Sequence, residues 1–120
     1  MKYILITALL ILTSCANLED RGKKRDLQSK IIRLLSDQNK RYAACARDNN
    51  IFKVTGKERV KVDMQLTLNS DGKINKFEII NTKFSDKFVD CMFNVTDLIS
   101  FPTLDENEVI QLIQPFVFKK

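Results

Sequence analysis

Three side chains in this chain carry sulfur that could act as a nucleophile, Cys15, Cys45 and Cys91, and there is no histidine. The second fact limits the first. Without an imidazole a thiol or hydroxyl lacks its ordinary general base, and a mixed Cys/His zinc set cannot be assembled. Neither Cys45 nor Cys91 belongs to a CxxC pair, so the usual redox motif is missing too. The acids offer two weaker constellations. Asp86 and Asp90 stand at i, i+4 and would share a helical face as a carboxylate pair; the plainer reading is a solvated face opposite Phe88 and Cys91. Asp105, Glu106 and Glu108 cluster without the glycine-turned loop that holds a hard cation, and read as solvated charge. Ser85 has no partner base and suits a helix cap. Asn94-Val95-Thr96 has the form of a glycosylation acceptor but falls on a helical stretch. No catalytic residue, metal or cofactor is expected, and the chain does not read as an enzyme.

The cysteines take their meaning from the N-terminal segment. Lys2 is a short basic start, and Tyr3 to Leu12 is an apolar run broken only at Thr7 and Ala8. At ~1.5 Å per residue such a helix covers about half of a ~30 Å hydrocarbon core. A spanning helix is therefore not expected, whereas the apolar region of a signal peptide has this length. Leu12-Thr13-Ser14-Cys15 closes the run and resembles the lipobox of bacterial lipoproteins. The resemblance implies that residues 1–14 are removed and that Cys15 is lipidated as the first mature residue. An ordinary secretory signal beside a chance cysteine is the plainer alternative. Either way the chain is exported, and Cys45 and Cys91 remain as an even pair in an oxidising compartment, which favours a structural disulfide.

Charge is unevenly placed. Residues 19–41 hold eight basic side chains against four acids, while residues 42–120 hold eleven of each. The positive excess thus sits in a tether, residues 15–26, and in the helix that follows. A basic stem beside an anionic leaflet is mildly attracted to it. No aromatic residue interleaves with the basic ones before Tyr42, so a nucleic-acid stacking platform is not expected.

Residues 27–120 suffice for one small domain. Leu27, Ile31, Leu34, Leu35, Tyr42 and Cys45 recur at helical spacing, with Asp26 as N-cap and Asp48-Asn49-Asn50 as the stop. One long helix is expected there, then a loop from Ile51 to Arg59. Val60, Val62, Met64, Leu66 and Leu68 alternate with polar residues as a strand. Asn69-Ser70-Asp71-Gly72 turns the chain into a second strand, Lys73 to Asn81. Ser85 caps a second helix, with Phe84 stapled on Val89 and a stripe of Phe88, Cys91, Met92, Val95, Leu98 and Ile99. Glu108 to Phe118 reads as a third strand, in which Pro115 demands an edge or a bulge. The expected fold is α+β, two helices packed on a three-stranded antiparallel sheet in the order α-β-β-α-β.

In that order the landmarks resemble the C-terminal domain of TonB-type proteins, more closely the AgmX/PglI-type branch of gliding-motility and envelope proteins. They are Cys45 late in the first helix, the Asp71-Gly72 hairpin, Cys91 early in the second helix, Phe101-Pro102 after it and the closing Pro115-Phe116-Val117-Phe118. The resemblance covers residues 27–118. It departs from the family at Ala46, where Tyr is common, at Ile99, where Trp is common, and at Val60, where Gly usually opens the strand. The resemblance implies pairing of Cys45 with Cys91. It also implies that an extended partner peptide can join the last strand, with Gln111, Ile113 and Gln114 near the open edge.

Two functions are therefore expected to compete. One is a membrane-anchored adaptor that binds an envelope protein by edge-strand capture. The other is a structural subunit of an envelope or gliding-motility-type complex, without peptide capture; a homodimer is compatible with either. A motor-coupled energy transducer needs a spanning helix and a proline-rich spacer, and the two prolines, Pro102 and Pro115, lie within the domain. Ala16 follows the lipidated cysteine, where an aspartate would signal inner-membrane retention, so the expected location is the outer membrane, facing the periplasm.

Overall fold

A computed structural model describes residues 25–120; the signal segment, Cys15 and the tether up to residue 24 lie outside the described residues. The chain divides into two units, Met1–Lys30 and Ile31–Lys120. Of the first, residues 25–30 are described and are helical. Asp26 lies inside helical residues and does not cap them.

Helix α1 covers residues 25–36 and α2 covers Asn39–Asp48. The single long helix expected here is broken at Asp37-Gln38. The Gln38 N–H donates to the carbonyl of Leu35, three residues back (3.1 Å), and the Gln38 carbonyl accepts from both Arg41 and Tyr42 (3.0 Å each). The buried stripe of Ile31, Leu35, Tyr42 and Ala46 stays in helical phase across the break, so the spacing carries no trace of it. α2 stops where expected, with the Asn49 side-chain amide donating to the Cys45 carbonyl (2.8 Å). The segment expected as loop holds a third helix, α3 (Ile51–Thr55), entered through Asn50 at φ 52° and left through Gly56 at φ 68°. Five residues are too few for helical periodicity to register.

Strand β1 (Arg59–Leu68) is central, with β2 (Ile74–Ile80) and β3 (Ile110–Lys119) antiparallel on either side, so the sheet order is β2-β1-β3. Helix α4 (Asp86–Asp97) lies between β2 and β3 in the chain. The fold is α+β in the order expected, with the first helix divided into α1 and α2 and a further short helix, α3, before β1.

Val60, Val62, Met64, Leu66 and Leu68 are all buried, as are Ile110, Leu112, Phe116 and Phe118 of β3. The register places these residues on one face of the sheet, and the helices cover that face. Tyr42 of α2 meets Phe116 with ring centroids 4.7 Å apart, Phe88 of α4 meets Phe118 at 6.5 Å, and Phe93 meets Phe77 of β2 at 5.4 Å. Cys45 and Cys91 form a disulfide that ties α2 to α4, with Cα atoms 5.7 Å apart.

Helix α4 departs from its expected stripe. Ser85 caps it as expected, accepting the Phe88 N–H (3.3 Å). The Phe84 ring lies against Phe88 at 5.0 Å, one position before the expected Val89. Leu98 is 73% exposed, whereas Thr96 is fully buried. The Thr96 hydroxyl donates to the Met92 carbonyl (2.8 Å) and lies 2.7 Å from the Tyr42 hydroxyl. A hydroxyl has one proton, so Tyr42 donates to Thr96 and the polar pair is satisfied in the core.

At the β1–β2 turn, Asn69 donates to the Lys73 carbonyl (2.9 Å), Gly72 to the Asn69 carbonyl (3.0 Å), and Lys73 to the Asp71 carboxylate (3.1 Å). Gly72 sits at φ 78°, and a Cβ there would lie 2.8 Å from the Phe101 carbonyl oxygen. Leu104 donates to the Ser70 carbonyl (2.8 Å), so this turn is docked on the segment that leads into β3.

Candidate functional site

The residues singled out for chemistry are scattered. Asp86 and Asp90 are exposed on α4; Asp105 and Glu106 are exposed, and Glu108 half-buried, in the loop before β3. Among the described residues no group of three or more His, Cys, Asp or Glu is placed to hold a metal ion. Ser85 is occupied as a cap, and Cys45 and Cys91 are joined to each other. At the positions that depart from the TonB-type pattern, Ala46 and Val60 are buried in the core and Ile99 is half-buried.

The outer edge of β3 is the feature with something to offer a ligand. In the β1–β3 register Arg59 lies opposite Lys119 and Asp63 opposite Pro115. The Lys120 N–H donates to the Glu58 carbonyl (2.8 Å), which sets the phase of the ladder. In an antiparallel pair alternate residues turn both main-chain groups to the same neighbour. Leu112, Gln114, Phe116 and Phe118 therefore turn theirs toward β1, and Gln111, Ile113, Pro115 and Val117 turn theirs outward. Pro115 falls in the outward set, so its missing N–H costs the ladder nothing, and no register shift is needed there. That is how an edge strand accommodates the proline without a bulge.

Gln111 and Ile113 thus stand at the open edge in both main chain and exposure. Gln114 has the opposite parity: its main chain faces β1, and its half-buried side chain bends back, donating to the outward Pro115 carbonyl (3.2 Å). Val117 is the outward residue that the sequence reading omitted. The side chains of Ile113 and Val117 project on the sheet face away from the helices, 53% and 47% exposed.

Beside this edge runs an open groove of about 680 Å³. One wall is α2, through Lys40, Ala43 and Arg47, which recur at i, i+3, i+7 on the face turned from the core. Phe52 of α3 also lines it, and residues 114–119 of β3 form the opposite wall. The Tyr42–Phe116 contact holds α2 over β3 and so sets the groove's width. Three cations line it, Lys40, Arg47 and Lys119, and no acid does. Sequence reading assigned Lys40 to the general basicity of the membrane-proximal stem. Its spacing from Arg47 was the available signal, but only the packing of α2 beside β3 makes a site of it.

Comparison with known proteins finds no matching family model, no matching curated protein and no matching solved structure.

Proposed function

We propose that this chain is a lipid-anchored adaptor of the bacterial envelope, with a TonB C-terminal-like domain that captures an extended segment of a partner protein outside β3. The observation that carries this reading is the set of outward main-chain groups at Gln111, Ile113 and Val117 beside an open groove. An edge strand presents unpaired donors and acceptors as a template for another strand, and strand addition uses them for affinity while pockets read the side chains. The Leu-Thr-Ser-Cys ending and the basic stem support tethering through Cys15, and Ala16 in place of an aspartate after it supports the outer membrane, facing the periplasm.

Ile113→Pro tests capture. The substitution removes an outward N–H, leaves the β1 ladder whole, and falls at a half-exposed side chain. Crosslinking in intact cells followed by affinity purification should recover a partner with the native chain and lose it with the variant, while the unfolding curve barely moves. Equal recovery with both proteins would refute capture, and a stoichiometric complex that persists in the variant would assign the structural-subunit role. Cys15→Ser should release the chain from the membrane fraction; continued membrane association would refute the anchor.

A further inference from the structure

We propose, on the basis of strand capture outside β3, that the captured segment is acidic. It is an extended peptide with carboxylates at alternate positions facing α2 and apolar residues between them. A strand added to β3 lies ~4.8 Å outside it, and its successive side chains point to opposite faces. On the helix side they enter the groove, which is lined by Ala43, Ala46 and Phe52 and by the α2 cations Lys40 and Arg47. On the other side they lie alongside Ile113 and Val117, 53% and 47% exposed, which apolar neighbours would cover.

The charge complementarity is specific to this place. Among the described residues the one ion pair is Lys76–Glu78 (3.9 Å), on β2 at the opposite edge of the sheet. Lys40, Arg47 and Lys119 therefore have no carboxylate within ion-pair distance among the described residues, and none lines their groove. Lys40 and Arg47, held on the one wall formed by α2, repel each other until an anion lies between them. An anionic membrane would satisfy the charge but brings no main-chain partners for Gln111, Ile113 and Val117. A second copy paired edge to edge would supply the main chain but would set two cationic grooves against each other. An acidic strand meets both requirements.

The test uses the full chain in detergent and fluorescence anisotropy with three labelled peptides in which valine alternates with glutamate, glutamine or lysine. At low salt the glutamate peptide should bind about tenfold more tightly than the glutamine peptide, with the lysine peptide weakest, and the preference should fall away at high salt. Lys40→Glu with Arg47→Glu should invert the order of glutamate and lysine. Ile113→Pro should abolish binding of every peptide. The same hydrogen bonds are removed from the ligand's side by N-methylating alternate residues of the glutamate peptide, which should also abolish binding. Equal binding of glutamate and glutamine peptides, lost on N-methylation, would overturn the acidic preference and leave strand capture standing. Glutamate-peptide binding that survives N-methylation would overturn both, reducing the site to ion pairing. No binding of any peptide would overturn both as well. Binding to phosphatidylglycerol vesicles in place of peptide, lost with Lys40→Glu and Arg47→Glu, would assign the cations to the membrane. A dimer that Ile113→Pro dissociates, with no peptide bound, would assign the edge to a second copy. Either result overturns the proposal.

Discussion

Removing the Cys45–Cys91 bond should cost this domain a large part of its stability. The two cysteines are 46 residues apart, and the loop they close contains all of α3, β1 and β2. In the chain-entropy account a loop of that length is worth about 4 kcal/mol, through the conformations it denies to the unfolded chain. Small domains hold ~5–15 kcal/mol in total. At roughly 4–8 °C per kcal/mol for a domain of this size, the melting temperature should fall by about 20 °C or more. Guanidinium unfolding followed by far-UV circular dichroism should be measured on three samples: the oxidised protein, the protein reduced after unfolding, and Cys45→Ala/Cys91→Ala. Reduction should lower the midpoint and raise the slope, because an unfolded chain without the crosslink exposes more surface. The double variant should fall slightly further, since it also empties the space of a sulfur at Cys45, 1% exposed. A loss under about 1 kcal/mol on reduction would refute the account, because the loop entropy alone exceeds it. So would an unchanged slope.

The polar pair in the core makes an asymmetric prediction. Tyr42→Phe leaves the Thr96 hydroxyl bonded to the Met92 carbonyl and should cost about 1 kcal/mol, whereas Thr96→Val leaves a buried phenol unpartnered and should cost about 1–3 kcal/mol; equal costs, measured by denaturant unfolding, would contradict the assigned proton positions. Burial raises the Tyr42 phenol above its ordinary 10.0. A raised value in the folded state means stability is intact below pH 10 and declines above it, up to the folded value, by at most ~1.4 kcal/mol per pH unit. The difference between native protein and Tyr42→Phe across that window reads this directly, and a gap that stays constant with pH would refute it. Gly72→Ala should cost about 2 kcal/mol or more, from the left-handed φ of 78° and the 2.8 Å approach to Phe101. Thermal melts that show no change would mean that the turn does not dock on the segment before β3.

How much of this was legible depends on whether a residue's environment is set by its near neighbours. The alternation from Val60 to Leu68 identified every buried apolar residue of β1, because sheet periodicity is a local property and the strand is central. Pro115 narrowed β3 to an edge or a bulge, and the sheet order makes it the edge. The break at Asp37-Gln38 was invisible because the apolar stripe runs through it in phase. Thr96 was passed over for Leu98 because a hydroxyl reads as solvent-seeking, yet its proton is satisfied by its own helix and its oxygen by Tyr42, 54 residues away. The candidate site divides along the same line. Gln111 and Ile113 follow from strand parity once β3 is an edge, and Gln114 fails by that parity. The groove itself depends on how α2 and α3 lie over β3, and no local pattern encodes that placement.

Amide hydrogen exchange along β3, without and with the valine–glutamate peptide, tests the central claim most directly. In the free protein the amides of Leu112, Gln114 and Phe116 should be protected by the β1 ladder, and those of Gln111, Ile113 and Val117 should exchange readily. Saturating peptide should slow Gln111, Ile113 and Val117 and leave the other three as they were. Outward amides that continue to exchange rapidly while the peptide is bound would contradict strand capture at this edge.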